Sequence, residues 1–390
     1  MGAHQHPSSV RLAFLDVLRG LAAPAVVIGH YIVLFLTAPQ VVAKFTMAEP
    51  IAVVALPAPL TQFYALFNLA GVGVGVFFLI SGFVIPLSLE GASVRGFFTK
   101  RMLRIFPTYW AALAIGVASI LLSAAFWSKP VTYSALDYVA NAFLIADFFG
   151  KLDIPSVMWT LEIELKFYLL APLFYVTLRR GSLNGVFAWS FGVILFYCLI
   201  VSGCVGSDPA ECWARVSLIA RFSWQAAFIT YMLIGSVLFA HFRGLISPWR
   251  AASAVVILFL CFAIAARLSS APGLWAQYGP AFFWALLIFL PCYFFRDRIT
   301  LARPFAFLAD ISYPLYIVHP LLGYVVMRLL MAAGAPYLAA LPAAVALVVF
   351  AACILHRYVE TPSIALARRL AAHFEEDVAR EGPRDVPASM

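Results

Sequence analysis

The chain has 390 residues, 64% of them hydrophobic and 11% charged, with a formal net charge of +8. A soluble domain carries roughly 25% charged residues, so this composition excludes an ordinary soluble enzyme and sets an all-α fold: a polytopic membrane protein with about ten transmembrane helices. The basic excess sits in short connections between apolar segments, where it orients a membrane protein, and is no nucleic-acid signal.

A span needs about 20 apolar residues. Ten segments qualify, at roughly 12–36, 66–89, 107–127, 157–178, 186–204, 222–240, 251–267, 275–295, 312–331 and 337–356. A shorter patch near 138–149, interrupted by Asp137, Asn141 and Asp147, reads as an interfacial or re-entrant piece. With the N-terminus inside, seventeen basic residues fall on the inner side, among them Arg95, Lys100, Arg101, Arg104, Arg179 and Arg180. Six fall outside: Lys44, Lys129, Lys151, Arg215, Arg221 and Arg267. The asymmetry puts both termini in the cytoplasm, and the expected location is the cell (inner) membrane. The first segment is long and contains Arg19, so it reads as a retained span, not a cleaved signal.

That first segment holds Asp16, Arg19 and His30. Arg19 and His30 are eleven residues apart, about three helical turns, so they share a stripe about 16 Å long, with Asp16 close to it. Charge in hydrocarbon is costly and usually faces a protein interior or a wet cavity. A basic group and an imidazole on one inner face point to anion handling with acid/base chemistry. The ordinary alternative is a histidine hydrogen-bonded in the interface. In the second segment, Gly71-Val-Gly73-Val-Gly75 reads as close helix packing.

Arg101 and Arg104 precede the third segment and share a helix face. Anchoring at the inner membrane surface would explain them. Two fixed guanidinium forks followed by Phe106, Tyr109 and Trp110 would also hold the phosphates of a cytosolic donor such as a coenzyme A thioester. The fourth segment opens Trp159-Thr160-Leu161-Glu162-Ile163-Glu164-Leu165-Lys166. Glu162 and Lys166 form a helix pair by spacing. Glu164 lies about 200° around from Glu162 and needs a partner elsewhere, with Arg19 a candidate. In the ninth segment Tyr313, Tyr316 and His319 lie three apart on one side; an aromatic belt with a capped histidine is the ordinary reading. Glu360, after the tenth, has an inner-loop arginine as its simplest partner, and 363–380 reads as an amphipathic helix on the inner surface.

Of the six cysteines, Cys204 and Cys212 flank a polar loop and would bridge if it faces an oxidising compartment. No CxxC occurs, so no metal site is expected. Walker A, HExxH and GxSxG patterns are absent.

Taken in order, these segments resemble the acyltransferase type 3 family. The likeness runs from Leu15-Asp16-Val17-Leu18-Arg19-Gly20 through Gly75-Val-Phe77-Phe78-Leu-Ile-Ser81-Gly82-Phe83, Arg101 and Arg104, Trp159-Thr-Leu with Glu164 and Phe167-Tyr168, and Ser312-Tyr313-Pro314-Leu-Tyr316 with His319, to Tyr358-Val359-Glu360-Thr361-Pro362. The resemblance implies a transmembrane acyltransferase domain over 1–362 and a cytoplasmic C-terminal tail over 363–390. It also implies an acyl-CoA donor, acetyl-CoA in the first instance, used as a substrate with no bound cofactor. The acceptor is a hydroxyl of a cell-surface glycan, a lipid or another small molecule, and membrane lipids surround the protein. His30 is then the catalytic base or first acceptor of the acyl group, with Arg19 and Glu164 beside it. Arg101, Arg104, Asp16, Tyr316 and His319 become substrate-binding candidates, with His319 a rival for the base. A transporter or flippase of an anionic substrate is the competing class; it needs a path opening to each side in turn.

Overall fold

The computed structural model describes residues 12–149, 154, 157–203, 217–269 and 273–381. Every regular element among them is a helix. The expected Cys204–Cys212 bridge lies outside these residues.

Helix α1 (Ala13–Ile28) runs into a π-turn (Gly29–Leu34) and a last α-turn, together 25 residues long. After the short α2 (Pro39–Thr46) come α3 (Ala58–Phe67) and α4 (Leu69–Leu89). Asn68 separates α3 from α4 by taking φ 39°, ψ 72°. Asparagine tolerates this left-handed region, and its side chain caps the new helix by accepting from the Gly71 N–H at 3.2 Å. The second span therefore starts at Leu69, and α3 lies apart from it, with no buried residue.

Helix α5 (Val94–Phe126) is 33 residues long and capped by Ser93, whose Oγ accepts from the Gly96 N–H at 3.0 Å. The expected start at 107 is wrong: Pro107 sits inside the helix. Its missing N–H costs one hydrogen bond without ending a helix whose flanks are packed. Arg101 and Arg104 are thus carried rigidly on the first turns of a spanning helix. Helix α6 (Ala135–Ala142) and a 3₁₀ turn (Ala146–Phe149) form the interrupted patch. Then follow α7 (Trp159–Leu178), α8 (Asn184–Gly203), α9 (Ser217–Phe242), α10 (Pro248–Leu268) and α11 (Leu274–Phe294). The chain continues with α12 (Arg303–Asp310), α13 (Ser312–Ala332), α14 (Tyr337–Leu355), a second π-turn (His356–Glu360) and α15 (Thr361–Glu381).

Eight helical runs among the described residues are long and apolar enough to cross a membrane. Helices α7 and α8 fill the other two expected positions; Glu162, Glu164 and Lys166 within the first turns of α7 lower its hydropathy. The protein is an all-α, multi-pass membrane protein.

Helix α4 is the hub, packed against α1, α9 and α11. Close approach is built into its glycines: a Cβ on Gly73 would sit 2.6 Å from the Ala22 carbonyl oxygen of α1. Helix α13 packs on α1, α5 and α14, and α15 lies along α5, where Lys100 Nζ meets Glu375 Oε1 at 3.2 Å. Glu360 pairs with His356 Nδ1 at 2.8 Å, not with an arginine, because the π-turn brings the two together on one face. Outward-facing Leu169, Leu173, Leu195 and Leu199 are exposed, as expected of side chains that face lipid tails.

Candidate active site

Helices α1, α4, α5, α7 and α13 line a partly open cavity with about 800 Å³ of empty space. Arg19, Arg101 and Arg104 line it, facing one carboxylate, Glu164. Arg19 Nη1 lies 3.8 Å from Asp16 Oδ1 one turn away, so Asp16 steadies Arg19 from behind and does not line the cavity. The Arg101 guanidinium stacks 5.8 Å from the centre of the Phe97 ring and 5.7 Å from that of Tyr168. Its Nε is buried without a hydrogen-bond partner, and Arg104 makes no ion pair within 4.0 Å among the described residues. Three guanidiniums against one lining carboxylate leave excess positive charge in a partly desolvated space. Buried donors of this kind call for an anionic acceptor.

Glu164 Oε1 accepts from Ser81 Oγ at 2.8 Å and from Tyr168 OH at 2.7 Å. The expected partner, Arg19, lines the same cavity without touching it. Glu162 and Lys166 are joined through a third residue: Lys166 Nζ donates to Gln225 Oε1 at 2.6 Å, and Gln225 Nε2 donates to Glu162 Oε2 at 3.3 Å. Lys166 also pairs with Asp147 at 2.6 Å, which fixes the interrupted patch onto α7. Glu164→Gln keeps an oxygen for Ser81 and Tyr168 but removes the one carboxylate that lines the arginine cavity among the described residues. Its loss of turnover is expected to exceed that of Glu162→Gln; equal losses in a side-by-side assay of folded variants would show that the two carboxylates are interchangeable.

His30 lies elsewhere. It lines a second cavity of about 1,670 Å³ between the π-turn of α1, α3, α4 and α11. Thr61, Tyr64, Asn68, Gln277, Tyr278 and Trp159 share that lining, and among the described residues no charged side chain does. The Arg19–His30 stripe is real as a helix face, but its two ends open into different cavities. Val74 and Tyr316 line both. Tyr316 donates to or accepts from Thr160 Oγ1 at 2.8 Å, and Tyr313 OH donates to the Ile105 carbonyl at 2.9 Å.

His30 and His319, weighed as rivals from the sequence, are hydrogen-bonded to each other: His30 Nδ1 to His319 Nε2 is 2.8 Å. Their roles follow from the far side of His319. Its Nδ1 lies 2.9 Å from the Tyr316 carbonyl and 3.1 Å from that of Leu315. Carbonyls only accept, so Nδ1 carries the proton. A neutral His319 then presents a bare Nε2, which accepts from His30 Nδ1–H. His30 is left with a lone pair on Nε2, which has no hydrogen-bond partner among the described residues. That is the tautomer of a general base. His319 is fully buried and held at its backbone by Tyr31 OH, which donates to the His319 carbonyl at 2.6 Å. A Cβ on Gly323 would collide with that hydroxyl, so only glycine leaves Tyr31 room. Local sequence gave no signal for the His30–His319 pair, nor for Tyr64, Gln277 and Tyr278, which come from segments remote in the chain.

Residues 12–357 match the family model described as an acyltransferase domain, that of acyltransferase type 3. The chain belongs to this family. Nodulation protein 10 of Rhizobium leguminosarum bv. viciae is 32% identical over 136 residues, covering 29% of this chain and 35% of that protein. The exopolysaccharide production protein ExoZ of Rhizobium meliloti (strain 1021) is 30% identical over 209 residues, covering 50% of this chain and 57% of that protein. The chain thus spans about a third to just over half the length of these curated relatives. No solved structure matches it significantly. Membership in this family favours the acyltransferase class over the transporter class left open by the sequence.

Proposed function

We propose that the protein transfers a short acyl group, acetyl in the first instance, from acyl-CoA to a hydroxyl of a cell-surface glycan. The single observation that carries this reading is the pairing of two unlike cavities, one lined by Arg19, Arg101 and Arg104, the other by His30, with Val74 and Tyr316 common to both. Coenzyme A is a substrate here. Its phosphates suit the arginine forks. The other cavity offers the aromatic faces of Tyr64, Trp159 and Tyr278 with the amides of Asn68 and Gln277, a set that suits a neutral sugar. The names of the relatives, one concerned with exopolysaccharide production, support a glycan as acceptor.

In this reaction His30 Nε2 removes the proton from the acceptor hydroxyl as its oxygen attacks the thioester carbonyl carbon. The carbon–sulfur bond breaks, and the proton passes from His30 to the departing thiolate, giving an ester and free CoA. His319 holds the reactive tautomer and disperses the charge of the transient imidazolium. The test is transfer of radiolabelled acetyl from acetyl-CoA to exopolysaccharide oligomers by purified protein in lipid nanodiscs. No labelled saccharide under any acceptor concentration would overturn the proposal.

The donor is cytosolic, so the arginine cavity faces inward and both termini lie in the cytoplasm. The excess of basic residues in the connections at that end, among them Arg95, Lys100, Arg179, Arg180, Arg243 and Arg250, supports this orientation. Reporter fusions in the 205–220 connection and at the C-terminus are expected to report opposite sides; the same side for both would sink the orientation.

A further inference from the structure

On the reading that donor phosphates occupy the arginine cavity, we propose that Tyr316 is a specificity-determining residue that measures the acyl group where it enters the chamber of His30. A donor held by Arg19, Arg101 and Arg104 reaches His30 only by passing between the two cavities. Val74 and Tyr316 are the residues with a face on each. The charged part of the donor stays with the arginines, and the neutral acyl-thioester end lies against this pair.

The Tyr316 ring is clamped. Its hydroxyl is 2.8 Å from Thr160 Oγ1 and 3.4 Å from the Val157 carbonyl, both on the segment that opens α7. Phe77 meets the ring edge-on at 5.8 Å and 68°. At its backbone the Tyr316 carbonyl accepts from His319 Nδ1 at 2.9 Å, so the residue that narrows the passage also fixes the partner of the base. With only 7% of its surface exposed, a ring held at hydroxyl, edge and backbone does not swing aside. On this proposal the acyl end passes where Val74 and Tyr316 separate the two cavities: a short acyl group fits beside Val74, and each added methylene meets the ring. An apolar wall of this kind discriminates by roughly tenfold or more once the group it meets exceeds the space left for it.

The experiment needs no acceptor. Isothermal titration of the full chain in lipid nanodiscs with CoA, acetyl-CoA and hexanoyl-CoA gives three affinities for each variant. The wild type is expected to bind CoA and acetyl-CoA alike and hexanoyl-CoA at least roughly tenfold more weakly. Tyr316→Ala removes the ring and is expected to bring hexanoyl-CoA to the affinity of acetyl-CoA, with CoA itself unchanged. Tyr316→Phe keeps the ring and should keep the discrimination. Val74→Ala widens the passage from the other wall and should act as Tyr316→Ala does, to a smaller degree, which covers the case in which Tyr316→Ala does not fold. Discrimination that persists in the alanine variants while CoA binds normally overturns the proposal, as does a wild type that binds hexanoyl-CoA as well as acetyl-CoA. Failure of the wild type to bind CoA at all overturns the donor-site reading beneath it.

Discussion

His30→Ala is expected to leave the protein inserted and folded and to lower acyl transfer by about 10²–10⁴-fold, the range a general base supplies. His30 is half-buried and lines a cavity, so truncation removes little packing. His319→Ala is expected to cost less, because His319 never touches the acceptor: it fixes the proton on His30 Nδ1. Without it, His30 takes up either tautomer, and the dependence of rate on pH changes along with the rate. His319→Gln should recover part of the loss, since a glutamine oxygen can accept from His30 Nδ1–H. A merely structural His319 would show lower expression and an unshifted pH profile, with no rescue by glutamine. Full activity in His30→Ala would remove this residue from the mechanism, and loss in His319→Ala alone would move the base there.

The residues of the site were legible where an apolar background made them conspicuous. Arg19 and His30 stand out in a membrane-length segment because hydrocarbon rejects them, and helical period alone puts them on one face. Arg101 and Arg104 were legible for the same reason, as was the need of Glu164 for a partner off its own turn. What period cannot give is depth. The stripe from Arg19 to His30 crosses a partition made by Val74 and Tyr316, which belong to α4 and α13, and so one expected site became two cavities. The Glu162–Lys166 pair failed to stand alone because Gln225, from α9, reaches between the two. Pro107 misled because a proline within a helix and a proline that opens one look alike in sequence; only the packing of the turns before it decides. His30 and His319 are 289 residues apart, and no local spacing relates them.

Arg101→Ala and Arg104→Ala should each weaken binding of acyl-CoA by about 10- to 100-fold, the equivalent of roughly 1.5–3 kcal/mol for a charge-assisted contact to phosphate. Folding should hold or improve. Arg101 keeps an unpartnered Nε in a buried position, and removing one of three like charges relieves an uncompensated cost. Lysine at either position restores the charge without the planar fork and should recover only part of the affinity. The measurement is direct titration of CoA in nanodiscs, with thermal unfolding run on the same samples. Unchanged affinity in both alanine variants, in protein of normal stability, would place the donor elsewhere.

The π-turn at Gly29–Leu34 carries a consequence for insertions and deletions in the first span. A π-turn holds one residue more than the α-turn it replaces, so it is what a helix becomes when a single residue is added without unravelling its flanks. Deleting one residue among 31–34 would restore an ordinary turn and leave the Arg19–His30 spacing untouched. The residues after it would keep the faces they present, because the π-turn is what absorbs the extra residue. Phe35, stacked on Tyr324 and Tyr337 at 6.2 and 5.9 Å, and Thr37, on the wall of the His30 cavity, would keep their places. A deletion in the α-helical turns on either side has no such slack and would rotate everything after it by about 100°. A change of one residue in this span is therefore tolerable at the π-turn and ruinous in the turns that flank it.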